Sequence, residues 1–329
     1  MAPPSDPSGL IAAARDGDRR ALARLLTLVE TYGESGRVVL STLFAATGDA
    51  WTTGLTGAPG SGKSTLTSRL IAHGRDAGSS VAVVAVDPSS PFSGGAILGD
   101  RVRMQDHIHD SGVYIRSLAT RGHLGGISEA TPRCVAVLDG IGFDEVLVET
   151  VGVGQAEVDI AGNTDTTVVV VNPRWGDSIQ AAKAGLLEIG DVFAVNKADR
   201  PGVGETVRDL RQMLELGDTG GWQPPIVPTV AETGEGIGEL WAAVAAHRRH
   251  LVDTGELAEL RRARLVQEVR AEVVNTVRRR VRRRMDDATW QRTIDRVESR
   301  EIDPWTAARQ IADLATPPER QPVGRSRPR

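Results

Sequence analysis

The stretch GAPGSGKS at residues 57–64 matches the phosphate-binding pattern GxxxxGK(S/T). It follows a short apolar run and precedes an amphipathic segment, which is the strand–loop–helix order that such loops require. Glycines let backbone N–H groups curl around a β-phosphate, and the following helix points its positive end at that group. In this pattern Lys63 reaches the β- and γ-phosphates, and the Ser64 hydroxyl coordinates Mg²⁺. We therefore expect these residues to bind a nucleotide: Gly57, Ala58, Pro59, Gly60, Ser61, Gly62, Lys63, Ser64 and Thr65.

Apolar runs, most of them rich in Val, alternate with longer amphipathic stretches through the middle of the chain. The runs are TTGLTG at 52–57, VAVVAVD at 81–87, EVLVE at 145–149, TTVVVVN at 166–172, VFAVNKAD at 192–199 and PIVPTVA at 225–231. Near-continuous Val runs separated by helices indicate a mostly parallel sheet buried on both faces. The sequence therefore predicts an α/β, doubly wound core, in which ligands bind at the carboxyl ends of the strands.

Four segments are predicted along the chain. Residues 1–48 form an N-terminal helical segment, and residues 49–250 form the P-loop domain. Residues 251–315 form a C-terminal helical arm, and the Pro- and Arg-rich residues 316–329 form a disordered tail.

The predicted arm carries an apolar stripe on an otherwise Arg-rich helix. Its members follow an i, i+4 spacing: Leu265, Val269, Val273, Val277 and Val281. Such a stripe favours a packed helix with a solvated basic face over a helix that binds nucleic acid. The net charge of −4 for the whole chain also argues against a nucleic-acid partner. We interpret the arm as the contact between the two chains of a homodimer.

The motif NKAD at 196–199 ends the fifth of these runs and indicates which base is bound. The Asp199 carboxylate can accept hydrogen bonds from both N1–H and the exocyclic amine of guanine, while the Lys197 stem lies along the base plane. Adenine offers neither donor in that geometry, so Asp199 would lose its partners at a cost of ~1–3 kcal/mol. The motif, with Asn196, Lys197 and Asp199 as binding residues, therefore favours GTP over ATP.

The next strand end supplies the second part of the base site. Val230-Ala231 stands where ordinary GTPases have a Ser-Ala step. We expect the Ala231 amide to meet the guanine O6. Because the usual Ser is missing, this departure predicts slightly looser base selection.

Acidic residues at the strand ends predict a magnesium network. Glu149 begins ETVG, which stands where most GTPases have DxxG, so the Gly152 amide is expected to sense the γ-phosphate. Asp87 ends the second run, and Asp100 lies in the loop that follows it. Mg²⁺ has six coordination positions, of which Ser64 and two phosphate oxygens fill three. Asp87, Asp100 and Glu149 therefore cannot all be direct ligands beside a normal complement of water, and at least one acts through water.

Composition excludes several classes of protein. The chain has 329 residues, of which 40% are apolar and 25% charged, as in globular proteins. A lone cysteine, Cys134, rules out an internal disulfide and thiolate-rich metal sites. No apolar run approaches the ~20 residues that span a bilayer, and the first nine residues lack a signal pattern. We expect a cytoplasmic protein with no membrane partner.

Several long motifs together resemble those of the MeaB/ArgK-type GTPases, the G-protein chaperones of adenosylcobalamin-dependent acyl-CoA mutases such as methylmalonyl-CoA mutase. They are DPSSPFSGGAILGDRVRM at 87–104, RGHLGG at 121–126, ETVGVGQAEVD at 149–159, GDSIQAAKAG at 176–185 and NKAD. The resemblance implies a cytosolic homodimer that hydrolyses GTP to GDP slowly. It further implies that GTP hydrolysis gates the delivery of adenosylcobalamin to a mutase and protects that mutase.

The resemblance also assigns roles to particular residues. It gives the phosphate role to Lys63 and places Gln155 in the loop after the second Gly, where it is a candidate for orienting water. The implied magnesium network is Ser64, Asp87, Asp100 and Glu149, and the implied partner-facing switch contains Asp177, Gln180 and Lys183. Catalysis is thus expected from Lys63, Glu149 and Gln155. Val230 and the segment 172–175 depart from the family pattern, which leaves open which mutase the chain serves.

Two other functions are compatible with a P-loop. A GTPase that inserts nickel into an enzyme generally displays His and Cys clusters, whereas His107 and His109 are the closest pair in this sequence and Cys134 lies far from them. An ATP-dependent P-loop kinase is the other alternative. A comparison of ATP with GTP turnover separates it from a GTPase.

Overall fold

The computed structural model describes residues 6–87, 104–119, 130–150, 159–173, 185, 187–215 and 221–315. The chain forms two compact units, Met1–Leu260 and Arg261–Arg329. The predicted tail at 316–329 lies outside the described residues.

A seven-stranded sheet forms the centre of the first unit. Its strands are β1 (Trp51–Thr56), β2 (Val81–Asp87), β3 (Val113–Ala119), β4 (Glu145–Thr150), β5 (Thr166–Val171), β6 (Val192–Asn196) and β7 (Ile226–Thr229). The strand order is β3-β2-β4-β1-β5-β6-β7, and each neighbouring pair in the described sheet is parallel. The predicted parallel sheet is confirmed.

The edge strand β3 was not predicted from the sequence. Its residues, VYIRSLA, carry polar side chains at Arg116 and Ser117 and lack a continuous Val run. An edge strand needs less apolar surface than a central one, so its pattern is weaker. As a result the NKAD motif follows the sixth strand of the sheet, not the fifth.

Helices cover the sheet and build the second unit. They are α1 (Pro7–Arg15), α2 (Arg19–Thr31), α3 (Glu34–Leu43), α4 (Lys63–Asp76), α5 (Thr131–Ile141), α6 (Val203–Glu215), α7 (Ile237–Thr254), α8 (Glu256–Arg284), α9 (Asp287–Glu298) and α10 (Pro304–Ala315). Short 3₁₀ helices lie at Phe44–Ala46, Gln105–His107 and Ala161–Asn163. None of the helices in the described ranges combines the length and apolar character needed to cross a bilayer.

The Val runs form strands because successive side chains enter cores on opposite faces of the sheet. Val168 and Val170 pack in the core that contains residues of α4 and α7. Val169 and Val171 pack on the other face with residues of α6. Helices α1, α2, α3 and α5 pack against the first half of the sheet, with the Cys134 thiol buried among them. The doubly wound prediction is confirmed.

The second unit contains most of α8 together with α9 and α10. The first four members of the predicted stripe of α8 are between 44% and 63% exposed: Leu265, Val269, Val273 and Val277. Two tryptophans of the helices that follow, Trp290 and Trp305, are also exposed. Large apolar side chains thus line the surface of this unit.

Glu145 is a buried carboxyl at the start of β4. Burial raises its pKa to about 7, and the nearby Asp144 and Asp165 add to the effect. The Arg248 guanidinium, 3.5 Å from Glu145 Oε1, opposes this rise. Because the folded state holds the proton more tightly, the stabilisation by protonated Glu145 is complete below pH ~4.5 and is lost as the pH rises to about 7.

We predict that Glu145→Gln raises the free energy of unfolding at pH 8 by about 2 kcal/mol, because Gln removes the buried charge but keeps the shape. The gain should shrink steadily as the pH falls from 7 to 5. Urea unfolding of parent and variant at several pH values measures it. Glu205→Gln, an exposed glutamate of α6, is the control and should show no such gain. Equal stability of parent and Glu145→Gln at pH 8 would contradict the prediction.

Candidate functional site

The phosphate loop occupies the turn between β1 and α4, as the sequence predicts. Gly57 has φ +135°, and a Cβ there would collide with the Val170 carbonyl oxygen. Gly62 has φ +95°, and a Cβ there would collide with Asn196 Nδ2. Both glycines are therefore required by backbone conformation and by close approach. The loop leads directly into α4, whose first-turn N–H groups supply the anion-binding end of the helix.

Lys63 is buried at the first position of α4. Its Nζ donates to the carbonyl oxygens of Gly57, at 2.6 Å, and Ala58, at 3.1 Å. The ammonium group is thus held over the loop backbone. From this position it can neutralise the charge of a bound phosphate.

The buried Glu149 carboxylate lies beside the loop because of strand register. Leu55 near the end of β1 pairs with Glu149 of β4, which brings this side chain next to the start of α4. Ser64 Oγ donates to Glu149 Oε1 at 2.6 Å. Thr67 Oγ1 lies 3.0 Å from Oε2 and 2.9 Å from the Lys63 carbonyl oxygen, so its one hydrogen is shared between these two acceptors. One carboxylate is therefore held by two hydroxyl groups of a single helix.

These oxygen groups fit the chemistry of magnesium. Mg²⁺ prefers hard oxygen ligands and retains several waters, so one hydroxyl and one carboxylate from the protein suit it. β2 ends at Asp87, one residue after Val86, which pairs with Thr150 of β4, so the Asp87 backbone lies at the same edge of the sheet. In the part of the chain that the structure describes, no three His, Cys, Asp or Glu side chains gather into a metal-binding group.

The base motif contacts the phosphate loop directly. Asn196 Nδ2 donates to the Ser61 carbonyl oxygen at 2.8 Å, and Lys197 Nζ donates to that of Gly60 at 2.6 Å. Lys197 adopts a left-handed backbone with φ +62°, which is rare for a residue with a side chain. Asp199, two residues further on, is exposed. The structure thus brings together two motifs that lie far apart in the sequence.

The Ala231 amide has a partner within the protein. It donates to Asn196 Oδ1 at 3.1 Å, and the Ala231 residue is buried. To contact guanine O6 as predicted, this N–H would either share its hydrogen with Asn196 Oδ1 or give up that hydrogen bond.

Two polar residues of α4 beside the site were missed by the sequence analysis. Thr67 lies one turn after Ser64 on the same helix face, and this i, i+3 spacing is the signal that could have identified it. Arg69 reaches the loop after β7, a contact that local sequence does not reveal.

Some predicted site residues lie outside the described residues. They are Asp100, Gly152 and Gln155 of the γ-phosphate network and Asp177, Gln180 and Lys183 of the partner switch.

The parallel sheet, the glycine loop and the adjacent NKAD motif define a P-loop nucleotide-binding protein. Comparison with known proteins narrows this class. Residues 22–286 match the family described as "Methylmalonyl Co-A mutase-associated GTPase MeaB". The chain belongs to this family and is a GTPase.

Individual relatives agree with this assignment. A protein of Pyrococcus horikoshii named as a GTPase is 47% identical over 91% of this chain and 95% of its own length. GTPase ArgK of Escherichia coli is 34% identical over 92% of this chain and 95% of its own. The solved structure titled "LAO/AO transport system kinase" has a TM-score of 0.68 and 26% identity, and the match covers 94% of this chain and 97% of the solved one.

We predict that Thr67→Val raises the Mg²⁺ concentration needed for half-maximal GTP hydrolysis by about tenfold. Val has the shape of Thr but removes the donor to Glu149, and losing one partner of a buried carboxylate costs about 1–3 kcal/mol. Steady-state hydrolysis measured across a magnesium series tests this. Thr67→Ser, which keeps the hydroxyl, should stay near the parent. An unchanged magnesium dependence in Thr67→Val would show that this hydroxyl does not position Glu149.

Proposed function

We propose that this GTPase is a nucleotide-gated chaperone of an adenosylcobalamin-dependent acyl-CoA mutase of the methylmalonyl-CoA mutase type. In this function it controls the delivery of the cofactor to the mutase and protects the mutase from inactivation. The family description, which associates these GTPases with methylmalonyl-CoA mutase, carries the proposal. The site supports the nucleotide-binding part of the proposal, because its phosphate loop and base motif are in direct contact.

The proposed chemistry is attack of water on the γ-phosphate of GTP. Lys63 and the N-terminus of α4 neutralise the charge that develops on the phosphate oxygens, and Gln155 orients the water. Ser64 and Glu149 would hold Mg²⁺ in a network with Asp87 and Asp100, and the bound ion would add positive charge beside the same oxygens. Glu149 is kept in place for this role by its hydroxyl partners on α4.

Guanine is selected by the NKAD motif. Asp199 would accept from N1–H and from the exocyclic amine, and its exposed position leaves it open to a base. Lys197 is fixed by its bond to the Gly60 carbonyl oxygen, so its stem is already placed along one side of the base site.

Three segments would respond to the γ-phosphate: residues 87–104, 149–159 and 172–185. Such segments are ordered by γ-phosphate and Mg²⁺ and are released on hydrolysis. A partner that binds them therefore has a different affinity for each nucleotide state. The described start of the third segment supports this link, because Asn172 Nδ2 lies 3.4 Å from the Gly60 carbonyl oxygen of the phosphate loop. Asp177, Gln180 and Lys183 would then face the mutase.

We predict that the tagged protein captures acyl-CoA mutase subunits from its source cell in a nucleotide-dependent manner. Parallel pull-downs with GDP and with a non-hydrolysable GTP analogue, scored for mutase subunits by mass spectrometry, test this. Lys63→Ala is the matched control: it should lose the difference between the two nucleotides, because the ammonium is a main phosphate contact. Absence of mutase subunits under both conditions would overturn the proposed partner.

We also propose that α8 is the dimerisation arm, because its stripe exposes large apolar side chains that a second copy of the chain would bury. Analytical ultracentrifugation should show a dimer at micromolar concentration. Val273→Glu, in the centre of the stripe, should shift the protein toward monomer, whereas Arg270→Glu, an exposed residue of the same helix, should not. A parent protein that sediments as a monomer would refute the proposal that α8 is a dimerisation arm.

A further inference from the structure

Backbone hydrogen bonds close the loop after β7, although it lacks the Ser that ordinary GTPases have there. Val230 N donates to the Glu235 carbonyl oxygen at 2.9 Å. Gly234 N donates to the Val230 carbonyl oxygen, also at 2.9 Å. The Val230 and Ala231 side chains are buried. A closed turn therefore presents the backbone of Ala231 beside the base motif.

Ala231 is held through both of its peptide groups. Its N–H donates to Asn196 Oδ1 at 3.1 Å, as described above. Its carbonyl oxygen accepts from Arg69 Nε at 2.9 Å. A second arm of the same guanidinium, NH2, donates to the carbonyl oxygen of Glu232. One side chain thus fixes two successive carbonyl groups with the planar fork that only arginine offers.

Arg69 belongs to the helix that holds the phosphates. It lies on α4, six residues after Lys63, and its side chain crosses to the loop after β7. Another arginine of α4 serves a different place: Arg75 donates to the Asp110 carboxylate and to the Ser79 carbonyl oxygen. Arg69 therefore ties the phosphate half of the site to the base half.

We infer that Arg69 is a specificity-determining positioning residue, which holds Ala231 so that its amide is placed for the O6 of guanine. In this role it holds a loop in which Val230 stands in place of the usual Ser. The inference rests on the nucleotide site proposed above and deepens it. It predicts that base selection stays tight although the usual Ser is missing, because the arginine holds the loop through its carbonyl groups.

Two guanine analogues separate this role from that of Asp199. 6-Thioguanosine diphosphate replaces O6 by a weak acceptor and keeps the 2-amino group, whereas inosine diphosphate keeps O6 and lacks the 2-amino group. Calorimetry with Mg²⁺ gives the Kd of each analogue and of GDP. In Arg69→Met, the preference for GDP over the thio analogue should fall about fivefold, and the preference for GDP over IDP should not change. Asp199→Asn should show the opposite pattern.

Further variants distinguish positioning from stability. Arg69→Lys supplies one point-like donor in place of the fork and should lie between the parent and Arg69→Met. Arg75→Met removes an arginine from the same helix and should keep both preferences, even if it melts earlier. Because each preference is a ratio measured on one protein, a partly unfolded variant does not distort it.

Two outcomes would overturn the inference, for different reasons. If the parent protein prefers GDP to ADP but Arg69→Met keeps its preference for GDP over the thio analogue, Arg69 does not set the O6 contact and the proposed function stands. If the parent itself does not prefer GDP to ADP, the guanine site proposed above is wrong, and the inference falls with it.

Discussion

The site depends on the hydrogen bonds between the buried Glu149 carboxylate and the hydroxyl groups of Ser64 and Thr67. A carboxylate that is 2% exposed is tolerated only where hydrogen-bond donors surround it. The parallel register of β4 with β1 delivers Glu149 to this place, and the first two turns of α4 supply the donors. Sheet and helix are thereby fixed to each other at the point where the phosphate loop begins. A shift of either element by one residue would leave the carboxylate without its partners.

Helix α4 connects all parts of the described site. Lys63 returns to the loop carbonyls, Thr67 and Ser64 hold Glu149, and Arg69 reaches the loop after β7. One helix therefore contacts the phosphate loop, the Glu149 carboxylate and the loop after β7.

The sequence was sufficient for the fold class and for the motifs, since both depend on local patterns. Buried Val runs predicted the parallel sheet, and GAPGSGKS and NKAD lie at strand ends as expected. Strand β3 was not predicted because an edge strand with Arg116 and Ser117 has no continuous apolar run. The contact of Arg69 was not predicted because its partners lie more than 160 positions away, and nothing near it in the sequence indicates that contact. Long-range hydrogen bonds to backbone leave no pattern in a single sequence.

The two lysines of the site meet the same short loop from different sides. Lys63 Nζ binds the carbonyl oxygens of Gly57 and Ala58, and Lys197 Nζ binds that of Gly60. The backbone of one short loop thus supplies hydrogen-bond acceptors to two ammonium groups from distant parts of the chain. A substitution that reshapes this one loop would therefore displace both ammonium groups at once.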